Sequence, residues 1–322
     1  VISVAICTYN NAAKLKVALE SLKEMVYPPG LEYEILVIDN NSRDETKDVV
    51  EQYRRVWGPR LRYVFEPNQG LSRARNRAMT EAAGDIISYI DDDIKADPHW
   101  LSAVATAFET YAAAAVVGGR SYLLFPLDPP VWLSEKCQLL LSRLDYGNQA
   151  IVGTDQDLFG LNFSVRKDWL ERVGGFDPSL GRCGRSLVSG EESDLLRRIR
   201  ALGGIAVYEP AAVVGHIVPR ERLKLRWFLR RFFVAGRDSI AIALKDGASL
   251  PSVLEAAIHA ARCAGSVLKG PFRGGPSRRI LVDKILVSAT AMGRLEGRVR
   301  MAFRSGGKTR VQGQAEGRGP ST

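Results

Sequence analysis

The chain has 322 residues, of which 46% are hydrophobic and 25% charged, and its net charge is +9. This is ordinary globular composition with enough length for a sizeable core, and no uninterrupted apolar run reaches the roughly 18 residues of a membrane-spanning helix. Cys7, Cys137, Cys183 and Cys263 are scattered with no C-x-x-C pair, which excludes a disulfide frame or a zinc site and points to reduced thiols in a cytoplasmic protein. Val1 already stands in a strand-like run, so no signal peptide is expected. The charge is uneven. Residues 1–218 hold 24 Lys and Arg against 29 Asp and Glu, a net of −5, while residues 219–322 hold 21 against 7, a net of +14. The basic character belongs to the last third, which suggests a separate job there.

Residues 1–6 predict a first strand, and polar Cys7-Thr8-Tyr9-Asn10-Asn11 caps a helix over 12–25, with Leu15, Ala18, Leu19 and Leu22 on one face. Pro28-Pro29-Gly30 breaks that helix, and residues 33–38 form a second strand that runs into Asp39-Asn40-Asn41-Ser42. Ser42 with Glu45 three residues on reads as a capping box for a helix through Arg55. A third strand over 61–65 precedes a helix through Ala83 that carries Arg73, Arg75, Asn76 and Arg77. The fourth strand is Ile86-Ile87-Ser88-Tyr89-Ile90, and it leads into Asp91-Asp92-Asp93. Strand and helix alternating at this spacing argue for a parallel, helix-covered sheet.

A helix over 97–111 follows, then a strand near 115–117 and a less regular stretch in which 132–144 reads as a helix. Residues 159–165 read as a strand and 167–173 as a helix. The glycine-bearing stretch 180–190 reads as a mobile loop, and Gly190-Glu191-Glu192-Ser193-Asp194 opens a helix through Leu202. Residues 206–209 and 212–216 are the last strand-like pieces. A basic amphipathic helix is expected over 219–244, with Leu225, Phe228, Leu229 and Phe232 on its apolar face. Helices near 251–268 and 278–303 follow, and 305–322 is expected to be disordered. The expected division is a catalytic domain over 1–218, a basic helical extension over 219–304 and that tail.

Thr8, Asp39 and the aspartate triplet all fall at the carboxyl ends of predicted parallel strands, where open α/β sheets bind ligands. Three adjacent carboxylates repel one another unless something positive sits among them, and a divalent cation carrying a phosphate is the simplest candidate. The competing reading is a solvated turn before a helix, but Asp97-Pro98 supplies that cap without the triplet. No G-x-G-x-x-G or phosphate-cradling glycine loop follows the first strand, so phosphate is to be held by metal and side chains. Asp39 suits hydrogen bonds from a base or ribose; its alternative is a plain strand-end cap.

The pattern Ile6-Cys7-Thr8-Tyr9-Asn10, Val37-Ile38-Asp39-Asn40-Asn41-Ser42, Asn68-Gln69-Gly70 through Ala74-Arg75-Asn76, and Ile90-Asp91-Asp92-Asp93 resembles the inverting glycosyltransferases of family two. Residues 159–177 and Gly190-Glu191-Glu192-Ser193-Asp194 continue the likeness, which covers about 1–218. It implies a GT-A fold: a Rossmann-like α/β domain with a mixed, mostly parallel sheet and helices on both faces, followed here by a C-terminal helical extension. It further implies a nucleoside-diphosphate sugar donor, most simply a UDP-sugar. Thr8, Tyr9, Asn10, Asp39 and Asn41 would line the nucleoside pocket, and Arg75 would lie near the donor. Asp91 and Asp92 would sit by ribose and sugar, and Asp93 would hold Mg²⁺ or Mn²⁺ together with Asp91. His216 would join as a further metal ligand; a lone His is also a common structural residue. Glu191-Glu192 stands where many relatives have Glu-Asp, so the base lies between the two, with Glu192 at the Asp position. Asp194 would orient or cap. The alternative for these acids is helix-dipole complementation.

Arg and Lys interleaved with Trp227, Phe228, Phe232 and Phe233 fit a helix on an anionic membrane surface, which would make the protein peripheral at the inner face of the membrane. The alternative is that the apolar face packs on the catalytic domain. No motif for nucleic acid accompanies the charge. The expected acceptor is a glycan or a lipid-linked saccharide of the cell envelope. A sugar-nucleotide pyrophosphorylase would want a glycine-rich loop where Thr8-Tyr9-Asn10 stands, and an inactive sugar-nucleotide-binding or scaffold protein would not need the triplet with Glu191-Glu192.

Overall fold

The computed structural model describes residues 1–184, 189–245, 249–268 and 275–312. Strand β1 (Ile2–Thr8) leads to α1 (Ala12–Lys23), β2 (Tyr33–Asp39), α2 (Thr46–Trp57), β3 (Leu61–Phe65), α3 (Leu71–Glu81) and β4 (Ile86–Asp91). Then come β5 (Ile94–Ala96), α4 (Trp100–Thr110), β6 (Ala114–Leu124), α5 (Glu135–Leu140), β7 (Ile151–Val152), β8 (Asn162–Arg166), α6 (Lys167–Arg172), α7 (Glu191–Ala201) and β9 (Ile205–Ile217). Helices α8 (Leu225–Lys245), α9 (Val253–Leu268) and α10 (Gly275–Gln312) follow.

One compact unit comprises residues 1–128 and 138–220. Its sheet runs β3-β2-β1-β4-β8-β6-β9-β5, with β7 paired to β9. The half built from β3, β2, β1 and β4 is parallel, and antiparallel pairing enters at β8. Successive side chains of a strand point to opposite faces. Val4, Ile6, Ile35 and Val37 accordingly pack with Leu15, Leu19 and Trp100 of α1 and α4, while Ala5, Leu36 and Ile38 pack with Ala74, Ala78, Leu195 and Leu196 of α3 and α7. Helices thus cover both faces, and each strand of the parallel half reads as an unbroken apolar run because both its faces are buried.

Several elements differ from the sequence expectation. Ser42 does not cap α2, which begins at Thr46; Ser42 instead donates its N–H to Asp39 and accepts the N–H of Asn10 on its hydroxyl. Asn11 precedes α1 without a side-chain cap. The pieces over 206–209 and 212–216 are one strand, β9, because Pro210 falls at a break in the β6–β9 register where no ladder hydrogen bond is needed from it. β5 follows the aspartates directly and is too short to show a period. Residues 180–184 are anchored rather than loose: Leu71 N–H donates to the Arg182 carbonyl and Ser72 Oγ to that of Leu180. The rest of that expected loop, 185–188, lies outside the described residues.

A second compact unit comprises residues 129–137 and 221–322. In it α10 packs against α8 and α9. The α8–α10 crossing is close because Gly236, Gly293 and Gly297 stand there; a Cβ on Gly293 would sit 1.9 Å from the Phe233 carbonyl oxygen. Phe228 of α8 is buried, with Trp132 edge-on at 5.6 Å. At Phe228 the apolar stripe of α8, expected to face a membrane, packs instead against Trp132. Helix α10 runs to Gln312, past the point where a disordered tail was expected to begin at 305. Residues 313–322 lie outside the described residues.

Candidate functional site: two acidic groups joined by Arg75

In the parallel half, β1 lies between β2 and β4, so the carboxyl ends of three strands meet. Thr8 is in register with Asp39, and Cys7 with Asp91. The loops after β1 and β2 are laced together, with Arg43 N–H donating to Asn10 Oδ1 at 2.7 Å. Asn10 and Asn41 take the left-handed conformation (φ 49° and 68°), which asparagine tolerates better than most residues. Asp39 is buried and accepts from Ser42 N–H at 2.8 Å and from the Tyr63 hydroxyl at 2.7 Å. Tyr9 is exposed.

The three aspartates take three different settings. Asp91 faces Arg75 at 3.8 Å. Asp92 accepts from Thr8 Oγ1 and from Asn11 Nδ2, both at 2.6 Å. Asp93 is buried, with Lys14 Nζ at 3.5 Å from Oδ2 and His216 Nε2 at 3.5 Å from Oδ1. Strand pairing explains the last contact: β5 and β9 align Ile94 with His216, and Ile217 N–H donates to the Asp93 carbonyl. His216 Nδ1 lies 2.6 Å from the Leu141 carbonyl, so Nδ1 carries the proton and Nε2 turns toward Asp93. Crowding by surrounding protein atoms raises the Asp91 and Asp92 carboxyls, although both are partly open to solvent, and the charge of Asp93 raises them further. Asp92 reaches about 7 despite the Thr8 and Asn11 donors.

The second acidic group opens α7, where Gly190 takes the left-handed conformation before the first turn. Arg75 of α3, only 2% exposed, reaches Glu191 Oε1 at 3.2 Å and Glu192 Oε1 at 3.1 Å. Burial disfavours the Arg75 charge, but Glu192, Glu191 and Asp91 more than offset this and its pKa is raised. Glu191 is 3% exposed, and burial followed by the Glu192 charge pushes it up to about 7. Its Oε2 is buried without a hydrogen-bond partner. Asp194 sits one turn on, engaged by Arg197 and Arg198 at 2.8 Å each.

The donors suit a hard divalent cation. Carboxylates crowded enough to raise the Asp91 and Asp92 pKa, with an imidazole nitrogen turned toward Asp93, are what such an ion would relieve. Among the described residues no three His, Cys, Asp or Glu side chains form a complete cage. Sites of the Mg²⁺ type take one or two carboxylates and complete their shell with substrate phosphate and water.

The structure thus gathers Thr8, Asp91, Asp92, Asp93 and His216 at one edge and joins Asp91 to Glu191 and Glu192 through Arg75. Asp39 ends β2 beside Thr8, Asn10 and Asn41 stand in the adjoining loops, and Asp194 belongs to its own ion pairs. Sequence reasoning missed Asn11, which was read as a helix cap, and Lys14, whose place in α1 carries no local signal. It also missed Gly160, where a Cβ would lie 2.1 Å from Glu192 Oε1 and 2.2 Å from Arg75 Nη2.

Residues 3–174 match the model of glycosyl transferase family 2. The chain is 28% identical over 249 residues to the succinoglycan biosynthesis protein ExoM of Rhizobium meliloti, covering 73% of each chain. It is 30% identical over 258 residues to the glycosyltransferase AglE of Haloferax volcanii, covering 80% of this chain and 79% of the relative. The glucosyl-dolichyl phosphate glucuronosyltransferase of the same organism is 25% identical over 238 residues, covering 73% and 75%. Among solved structures, the mannosyltransferase PcManGT from Pyrobaculum calidifontis, in complex with GDP-Man and Mn²⁺, superposes with a TM-score of 0.55 at 18% identity, covering 98% of this chain and 79% of that one. GalNAc-T7 with UDP, GalNAc and Mn²⁺ gives 0.54 at 18%, covering 72% and 47%. Both likenesses bear on the fold, which is of the GT-A type. The chain is a glycosyltransferase and belongs to glycosyl transferase family 2.

Proposed function

We propose that this enzyme is a metal-dependent, inverting transferase that moves a sugar from a nucleoside-diphosphate donor, a UDP-sugar in the first instance, to a hydroxyl of a glycan or lipid-linked acceptor, with Glu192 as general base. The observation that carries this reading is the line Asp91–Arg75–Glu192, which ties the acids at the end of β4 to those of α7. Mn²⁺ beside the nucleotide ligands named for the two solved structures supports a divalent cation. Asp93 and His216 would hold the cation with Asp91 beside them, and a bound cation supplies charge neutralisation at the departing diphosphate. Thr8 and Asn11 hold Asp92, which faces ribose and sugar. Asp39, Asn10, Asn41 and Tyr9 border the nucleoside.

The acceptor hydroxyl oxygen attacks the anomeric carbon and its proton passes to the Glu192 carboxylate. The bond from that carbon to the diphosphate oxygen breaks on the opposite face, and the electron pair leaves with the nucleoside diphosphate, so the configuration inverts. Glu192 is chosen over Glu191 because it is the more open to solvent of the two, with a side chain 20% exposed against 4%. Asp194 orients the first turn of α7 through Arg197 and Arg198.

A screen of nucleotide sugars with Mn²⁺, Mg²⁺ or chelator tests the reading, since bound donor raises the melting temperature by mass action. The expected result is stabilisation by one sugar nucleotide only when metal is present, followed by release of nucleoside diphosphate once an acceptor is supplied. Stabilisation by none of them would sink it.

The same proposal places the protein peripherally on an anionic membrane. The support is the net charge of +14 over 219–322 together with exposed Leu254 and Ile258 of α9 and Ile280 and Val287 of α10. Salt-sensitive sedimentation with anionic but not neutral vesicles is the expected outcome.

A further inference from the structure

We infer that Arg75 is a positioning residue for the base Glu192, seated by the bare backbone of Gly160, and not a ligand of the donor. The inference rests on the proposed function but concerns residues for which that reading predicts something else: an arginine beside a diphosphate site is expected to grip phosphate.

The geometry leaves it little to grip with. Arg75 Nη1 is committed to Glu191 and Glu192 at 3.2 and 3.1 Å, and Nη2 looks to Asp91 at 3.8 Å. The Phe176 ring lies 5.3 Å from the guanidinium carbon. That ring is fixed in turn, because Asn76 accepts the Phe176 N–H on Oδ1 and donates Nδ2 to its carbonyl, both at 2.8 Å, while Tyr89 stands edge-on at 5.4 Å. The Tyr89 hydroxyl donates to the Arg75 carbonyl at 3.0 Å, which fixes the backbone from which the side chain departs. Both glutamates meet the one nitrogen Nη1 while Nη2 turns to Asp91, so the planar guanidinium spans two acidic groups that a lysine point charge cannot span.

Gly160 supplies the space. A Cβ there would meet Glu192 Oε1 at 2.1 Å and Arg75 Nη2 at 2.2 Å. Its φ lies outside the left-handed region, so what requires glycine is room and not backbone conformation. Two independent substitutions therefore reach the same contact, one by removing the guanidinium and one by pushing on it from the far side.

Arg75→Lys, Arg75→Ala and Gly160→Ala are compared with wild type in turnover, in donor KM and in donor affinity by thermal shift with Mn²⁺. The expected result is a fall in kcat on the order of 100-fold in each, the scale of a misplaced general base, with donor affinity kept within about threefold. Millimolar guanidinium added to Arg75→Ala should recover roughly tenfold of that loss. Donor affinity weakened roughly tenfold or more in the Arg75 variants, with Gly160→Ala turning over like wild type, would overturn the inference and leave the proposed function intact. Wild type that binds nucleotide sugar yet transfers nothing would overturn both. Should Arg75→Ala fail to fold by circular dichroism, Arg75→Lys and Gly160→Ala carry the same comparison.

Discussion

The two acidic groups joined by Arg75 solve the problem of crowded negative charge in different ways. At the end of β4, Asp91 faces Arg75 at 3.8 Å, Thr8 and Asn11 donate to Asp92, and Lys14 and His216 each lie 3.5 Å from Asp93. At the start of α7, Glu191 and Glu192 share one buried guanidinium at close range. The first group is held by longer ionic contacts, 3.5–3.8 Å, which leaves its geometry suited to a cation that arrives with substrate. The second already contains its counter-charge, which suits it to hold a carboxylate still. Taking away one partner of a buried ion pair leaves an uncompensated charge, so the α7 group is expected to respond to mutation through both activity and stability, and the β4 group chiefly through ligand binding.

Four substitutions sharpen or break that contrast. Asp93→Ala has the largest expected effect, a loss of turnover on the order of 10³-fold with loss of metal-dependent donor binding; donor titrations with and without Mn²⁺ check it, and unchanged affinity would mean that the cation sits elsewhere. Glu192→Gln should lower kcat by roughly 10²–10³-fold while donor affinity stays near wild type, and retained transfer would move the base to Glu191.

Glu191→Gln should act on stability and its pH dependence. The folded protein holds the Glu191 proton up to about 7, against 4.5 for the ordinary carboxyl. Between those values the native state binds more protons than the unfolded chain, so this group's contribution to stability falls as pH rises from 4.5 to 7. The glutamine variant lacks that loss. Relative to wild type it should gain stability as the pH rises from 4.5 to 7, on top of whatever offset the lost Arg75 partner sets at low pH. Urea midpoints at about pH 5 and about pH 8 read the change, and the same difference from wild type at both would show that Glu191 ionises normally.

Asp194→Asn should change least. Its partners Arg197 and Arg198 lie on the same helix, and such pairs contribute at most about 1 kcal/mol. Turnover within about threefold of wild type is expected; a loss like that of Glu192→Gln would make Asp194 part of the chemistry.

Much of this was legible in the residues themselves. The apolar runs of β1, β2 and β4 and the acids that end them are local, because a strand buried on both faces has to be written in consecutive apolar residues. The polar ends of those strands mark a ligand edge for the same reason: a carboxylate placed there is too costly to desolvate without a use. Glu191 and Glu192 were visible as an acidic helix start.

What no local pattern could carry is the partnership between distant segments. His216 reaches Asp93 because β5, three residues long, pairs with β9, and neither the shortness of the one nor the Pro210 break in the other shows a strand period. Asn11 read as a cap because Asn caps helices often; only the approach of β4 beside β1 offers its amide to Asp92. Arg75, Arg73 and Arg77 are alike as charges in a row. Burial against Phe176, Gly160 and α7 selects one of them, since a helix faces in several directions and its sequence does not say what will lie beyond each face.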